Sequence, residues 1–139
     1  MEFTRRGAIA LGAGVAVTLM LPARGALAAA EDRIAEFTGG AATGEGGITL
    51  TTPEIAENGN TVPIEVDAPG AVSIMVLASG NPTPDVCTFN FGPLAGAQRA
   101  STRIRLAGTQ DVVAVAKMAD GSFVQAQNTV KVTIGGCGG

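Results

Sequence analysis

The chain contains no histidine, no tryptophan and no tyrosine in its 139 residues. Without histidine it cannot build a Ser-His-Asp or Cys-His nucleophile pair, a histidine-ligated metal site or a histidine acid–base group. Cysteine is nearly as scarce. Cys87 and Cys137 are the only two, too few to complete a zinc site by themselves and not in a Cys-x-x-Cys spacing, so a disulfide oxidoreductase would lack its resolving thiol. Aromatic side chains are limited to five phenylalanines, which leaves the core to Val, Ile, Leu and Ala. A small aliphatic core has little stability to spare, and that favours a stabilising partner. Carboxylates do pair up, as in Glu65 and Asp67 at strand spacing on one face. Solubilising a strand accounts for such a pair more simply than acid–base catalysis does.

The N-terminus has the three parts of an export signal: Thr4-Arg5-Arg6, an apolar stretch from Gly7 to Leu21, and Pro22 followed by the small-residue site Ala26-Leu27-Ala28. The apolar stretch is shorter than the roughly 18 residues of a spanning helix, which argues against a permanent membrane anchor once residues 1–28 are removed. The paired arginines point to the twin-arginine route. Ala8 stands where a strong apolar residue is usual, with Ile9 after it, so the ordinary secretory route stays open. Loss of Arg5, Arg6, Arg24 and Glu2 from 9 basic and 12 acidic residues leaves 6 and 11, a net charge of −5. Nothing in that balance seeks nucleic acid. Arg99, Arg103 and Arg105 form the one basic cluster and read as a solvated or partner-facing strand edge.

Past residue 28 the chain is the size of one domain. Residues 29–47 read as a short helix, Glu31 to Phe37 with Ile34 and Phe37 on one side, ended by Gly39-Gly40, and a Gly/Ala/Thr linker from Gly39 to Gly47. From residue 48 to 134 seven short runs follow: Ile48–Thr51, Val62–Val66, Val72–Ala78, Val86–Phe91, Thr102–Leu106, Val112–Met118 and Phe123–Ile134. Turn signals separate them. Asn58-Gly59, Pro69-Gly70, Ser79-Gly80-Asn81-Pro82 and Asp120-Gly121 each supply a positive φ or a fixed proline φ, and Asp120-Gly121 marks the clearest hairpin. This spacing predicts an all-β, immunoglobulin-like antiparallel sandwich, without the buried tryptophan and paired cysteines of antibody domains. The broken alternation of Val72–Leu77 fits a strand covered on both faces or lying near an interface.

Gly135-Gly136-Cys137-Gly138-Gly139 closes the sequence, a thiol between two glycine pairs directly after a strand-like run. Glycine opposes both helix and strand continuation, so residues 135–139 read as a flexible arm that displays the Cys137 sulfur. No Lys, Arg or helix start adjoins that cysteine, and the carboxylate two residues on opposes its ionisation, so activation must come from outside the chain. An exported structural or adhesive sandwich with an incidental thiol, or a thiol-redox protein, is the alternative. Cys87 leaves three readings open: a buried strand thiol, a disulfide to a partner chain, or a bridge to Cys137.

The ending Val130-Lys131-Val132-Thr133-Ile134-Gly135-Gly136-Cys137-Gly138-Gly139 resembles the C-terminal signature of the SoxY family, sulfur carriers of the thiosulfate-oxidising Sox system. The resemblance extends to Pro53-Glu54-Ile55-Ala56-Glu57-Asn58-Gly59, Phe91-Gly92-Pro93-Leu94-Ala95-Gly96 and Ser101-Thr102-Arg103-Ile104-Arg105-Leu106. It implies a periplasmic carrier, not an enzyme, that holds thiosulfate-derived sulfur covalently on Cys137 with no cofactor or metal of its own. It further implies a heterodimer with SoxZ, and transient visits to heme-containing SoxAX, the dimanganese hydrolase SoxB and the sulfane-oxidising SoxCD. Gly135, Gly136, Gly138 and Gly139 would give the arm its freedom.

Overall fold

In the computed structural model, residues 23–135 are described, with side chains from residue 27 onward. The expected export segment falls largely outside them, as do Gly136, Cys137, Gly138 and Gly139. Among the described residues, one helix, α1 (Ala23–Thr38), precedes eight strands: β1 (Thr49–Thr51), β2 (Ile55–Ala56), β3 (Val62–Asp67), β4 (Ala71–Ala78), β5 (Asp85–Asn90), β6 (Arg99–Ile104), β7 (Gln110–Met118) and β8 (Phe123–Val132). They form a three-stranded sheet, β1-β3-β6, and a five-stranded sheet, β2-β8-β7-β4-β5. All pairings are antiparallel except the short β2–β8 pair at one edge. The seven expected strands are all present within a few residues of their expected ends.

Alternation decides which residues face the space between the sheets. Val62, Ile64 and Val66 of β3 point inward with Leu50 and Ile104, while Pro63 is exposed and Glu65 half-exposed on the outer side. From the other sheet come Ile74, Val76 and Ala78 of β4, Val112, Ala114 and Ala116 of β7, and Val130 of β8. The reverse face of the five-stranded sheet carries a second cluster, Met75, Leu77, Val113 and Val115, and α1 covers it with Ile34 and Phe37. The Phe37 ring meets Phe123 edge-on, with centroids 5.9 Å apart. Thus β4 and β7 are buried on both faces, which is why Val72–Leu77 does not alternate cleanly.

Helix α1 is longer than expected at its start. The alanine-rich run through Ala26-Leu27-Ala28-Ala29-Ala30 has high helix propensity and carries the helix back to Ala23, across the boundary expected at residue 28. Its end matches the glycine signal: Gly39 sits at φ 65° and the Gly40 N–H donates to the Ala35 carbonyl at 3.0 Å, closing the last turn. Arg33 anchors the helix to the sheet through Asp85 of β5, Nη2 to Oδ2 2.7 Å, and also pairs with Glu36. The stretch after the helix is pinned to β8, with Gly44 donating to the Phe123 carbonyl at 2.8 Å and accepting from the Gln125 N–H at 2.9 Å.

All four turn signals coincide with turns, and what needs correction is the backbone angle expected at one of them, Asn58-Gly59. Gly70 (φ 85°) and Gly121 (φ 87°) do take left-handed angles, and Asp120 Oδ1 accepts from the Ser122 N–H to shape the β7–β8 hairpin. Gly59 and Gly80 do not. Each is instead a point of close contact: Gly59 bridges two segments through its own backbone, and a Cβ on Gly80 would lie 2.9 Å from the Cβ of Gln110.

Candidate functional site

The candidate site is the end of β8, the last described stretch before Cys137. Beyond Val132 the backbone is no longer a strand, yet it remains held. Thr133 donates its N–H to the Ala56 carbonyl at 3.0 Å and its hydroxyl to the Glu57 carbonyl at 3.0 Å. The Ile134 carbonyl accepts from the Gly59 N–H at 2.7 Å, and the Gly59 carbonyl accepts from the Leu106 N–H at 2.7 Å. On the other flank Thr109 Oγ1 accepts from the Val132 N–H at 3.0 Å. The end of β8 therefore lies between segment 56–59 and segment 106–109, bonded to both.

Gly135, expected within the freely moving arm, is the last described residue and sits against Ala107. A Cβ built on it would come within 2.4 Å of the Ala107 carbonyl oxygen, closer than real Cβ contacts occur. Its φ is not positive. Glycine is needed here for approach rather than for an unusual backbone angle.

Segment 105–110 owes its shape to two buried polar side chains, Asn81 at 2% exposure and Gln110 at 9%. Asn81 Nδ2 donates to the Arg105 carbonyl at 2.9 Å, and Asn81 Oδ1 accepts from the Ala107 N–H at 2.9 Å and from Gln110 Nε2 at 2.8 Å. Gln110 Nε2 also donates to the Gly108 carbonyl at 3.0 Å, and its Oε1 accepts from the Gly80 N–H at 2.9 Å. Every polar atom of the pair is satisfied, which makes such a network stiff. Sequence reading sees Ser79-Gly80-Asn81-Pro82 only as a turn and Gln110 only as a strand end. The signal that could have found them is a glycine whose neighbouring asparagine is not needed for the turn itself.

The other expected site residues lie elsewhere. Cys87 is on β5, the outer strand of the large sheet, opposite Val76 and half-buried against the core between the sheets. Burial pushes its thiol pKa up, and the nearby Asp85 carboxylate pushes it further in the same direction. Less thiolate is then present near neutral pH than for an open thiol, and the deficit closes only as the pH rises well above the ordinary thiol range. Alkylation of Cys87 by iodoacetamide at pH 8 should be at least about tenfold slower in the folded protein than in denaturant, read by peptide mass spectrometry. Equal rates would place the sulfur in the open.

Glu65 is held by a cross-strand ion pair, Arg99 Nη2 to Glu65 Oε1 2.7 Å, with Ser101 Oγ donating to Oε2 at 3.2 Å. The Arg99 hydrogen bond draws the Glu65 carboxyl below its usual range. An ionised, paired carboxylate in solvent is a strand fastener: its small contribution is present above the unfolded pKa and lost as pH falls through the folded one. Arg103 is exposed on β6, the free edge of the small sheet, and Arg105 is exposed just after it.

With this geometry in view, likenesses to known proteins take on meaning. A family model described as sulfur oxidation protein SoxY matches residues 34–137. No curated protein matches the chain. Among solved structures, the sulfur carrier protein SoxY from Chlorobium limicola f thiosulfatophilum is similar at 35% identity and a TM-score of 0.67, over 77% of this chain and 98% of that one. A superoxide reductase (neelaredoxin) from Ignicoccus hospitalis aligns at 14% identity and a TM-score of 0.55, over 63% of this chain and 80% of that one. A putative superoxide reductase from Thermotoga maritima aligns at 15% and 0.52, over 61% and 84%. At such identities the last two show a shared fold alone.

Proposed function

Because the chain belongs to the SoxY family of sulfur oxidation proteins, we propose that it is a covalent carrier of sulfur intermediates in thiosulfate oxidation, with Cys137 as the attachment point. The observation that carries this reading is the family match, which spans residues 34–137 and so reaches from α1 to Cys137. The physical argument is consistent with it. No histidine exists to activate the thiol, so a carrier that is handed to separate enzymes suits this chain better than a catalyst.

The chemistry sets what the partners must supply. Joining a thiol to the outer sulfur of thiosulfate forms a sulfur–sulfur bond, releases the thiol proton and gives up two electrons. This chain offers no residue to accept those electrons, so an electron-accepting partner of the SoxAX kind has to take them. Water then cleaves the terminal sulfonate as sulfate on a hydrolase of the SoxB kind, leaving a persulfide on Cys137 for oxidation by SoxCD. The carrier itself holds no metal or other cofactor in this scheme.

A SoxZ subunit is the proposed permanent partner. The aliphatic core and the open edge strands β5 and β6 support it. Adding SoxZ should raise the thermal midpoint of the chain by mass action. An unchanged midpoint at partner excess would contradict the heterodimer. Export is proposed to use Arg5 and Arg6, so the double change to lysine should leave the protein in the cytoplasmic fraction.

The carrier reading itself is tested by intact mass after incubation with thiosulfate, an oxidising partner and SoxZ. A thiosulfate or sulfane adduct that maps to Cys137 is the expected result. Unmodified Cys137, or an adduct only on Cys87, would overturn it.

A further inference from the structure

The structure assigns Asn58-Gly59 as a site of spontaneous modification, in which the Gly59 backbone nitrogen attacks the Asn58 side-chain amide. The products are aspartate and isoaspartate, and the rate is set by how often Gly59 lets go of Ile134 and Leu106. This inference stands apart from the carrier reading. Asn58 is exposed and Gly59 is buried beside it. Asn58 Oδ1 accepts from the Asn60 N–H at 3.0 Å, which folds the side-chain amide forward along the chain toward the residues that follow. Glycine at position 59 carries no Cβ to crowd the approach. In the reaction a bond forms from Gly59 N to Asn58 Cγ, the Cγ–Nδ2 bond breaks, and ammonia leaves with the backbone amide proton. Water then opens the cyclic imide at either carbonyl. No electrons are gained or lost.

The closed fold holds this attack back. The Gly59 N–H donates to the Ile134 carbonyl at 2.7 Å, and the Gly59 carbonyl accepts from the Leu106 N–H at 2.7 Å. Just upstream, the Thr133 hydroxyl donates to the Glu57 carbonyl at 3.0 Å. A nitrogen held by its own proton, in a residue bonded on both sides, cannot turn onto Cγ until this clasp opens. The chain's other Asx-Gly pair, Asp120-Gly121, does not qualify. There the Ser122 hydroxyl and N–H both donate to Asp120 Oδ1 and draw its carboxyl below the usual range, and an ionised carboxylate offers no leaving group. At Asn58 the product also blocks return. Isoaspartate routes the chain through the side-chain carbon and lengthens the backbone by one carbon–carbon bond, about 1.5 Å. On that longer chain Gly59 cannot meet Ile134 and Leu106 at once, so a transient release of segment 56–59 from the end of β8 becomes permanent.

The test uses the full chain, folded and in urea at pH 8, with Asn58 followed by peptide mass spectrometry and the Gly59 amide by hydrogen exchange. Both reactions need the Gly59 N–H free, so folding should slow deamidation at least as strongly as it slows Gly59 exchange. Thr133→Val removes the hydroxyl bond to Glu57 and should speed deamidation of the folded protein about fivefold, the weight of one net hydrogen bond, with the rate in urea unchanged. Asn58→Gln should abolish the mass change. The isoaspartate form, separated and refolded, should lose at least about tenfold of the exchange protection at Gly59 and Leu106. No conversion of Asn58 in urea, or slowing by the fold that is weaker than the Gly59 exchange protection, would overturn the inference. So would a Thr133→Val rate equal to the parent's, a mass change that persists in Asn58→Gln, or parent-like protection in the isoaspartate form.

Discussion

Thiosulfate-dependent turnover in a reconstituted system is expected to drop to the uncatalysed background when Cys137 is replaced by serine, with the folded state untouched. The two atoms differ where it counts. A serine hydroxyl cannot form the sulfur–sulfur bond on which the carrier chemistry depends, and no second thiol can stand in: Cys87 lies half-buried on β5 with its pKa raised by burial and by Asp85. Stability should not follow activity. Both core clusters are built from residues no later than Val132, so the midpoint of thermal unfolding should agree with the parent within about 1 °C, a surface-substitution effect. Cys87→Ser is the counterpart, expected to keep turnover. Activity that survives Cys137→Ser, or disappears in a well-folded Cys87→Ser, would move the carrier site to the wrong cysteine.

The contrast between these two thiols also shows what can be read without coordinates. Cys137 stands out in the sequence because glycine pairs flank it on both sides, a local pattern visible in five letters. The strands are legible for a similar reason: alternation in Val62–Val66 and the Asp120-Gly121 turn are both local. What escapes is whatever depends on distant residues. Strand β2 is only Ile55–Ala56, recruited by the edge of β8 about 75 positions later, and two residues carry no periodicity of their own. Gly59 and Gly80 lie in turns as expected, but neither takes a left-handed angle, and the close contact each makes with a distant segment is not visible locally. Gly135 reads as tether, yet the reason for a glycine there is the carbonyl of Ala107, which no local pattern announces. The Asn81–Gln110 pair spans 29 positions and is equally silent in the sequence. The start of α1 was missed on other grounds: an alanine-rich stretch serves an export signal and a helix equally well.

Ile74→Ala is expected to be the most damaging single truncation in the core. Ile74 is fully buried at the centre of the larger cluster, on β4 between Phe89 of β5 and Ala116 of β7. Removing an isoleucine side chain from such a site loses its transfer free energy and leaves a cavity, about 2–5 kcal/mol together, with the cost highest where the surroundings cannot close in. Here they cannot. The surrounding cluster is largely valine and alanine, including Ala78, Ala114 and Ala116, which have no long side chain to swing into the gap, and β4 is gripped on both edges by β5 and β7. The upper half of the range, about 3–5 kcal/mol, is therefore the expected loss, against a total of only about 5–15 kcal/mol for a typical domain. At about 4–5 °C per kcal/mol for a domain of this size, the thermal midpoint should fall by roughly 12–25 °C. Ile55→Ala provides the comparison, because Ile55 is 58% exposed on β2 and its truncation should cost at most about 0.5 kcal/mol. Should Ile74→Ala fail to fold alone, Ile74→Val carries the same test at about 0.5–1.5 kcal/mol by urea unfolding. A loss under about 0.5 kcal/mol for the valine variant, or equal losses at positions 74 and 55, would mean that the space between the two sheets is not where this aliphatic core gains its stability.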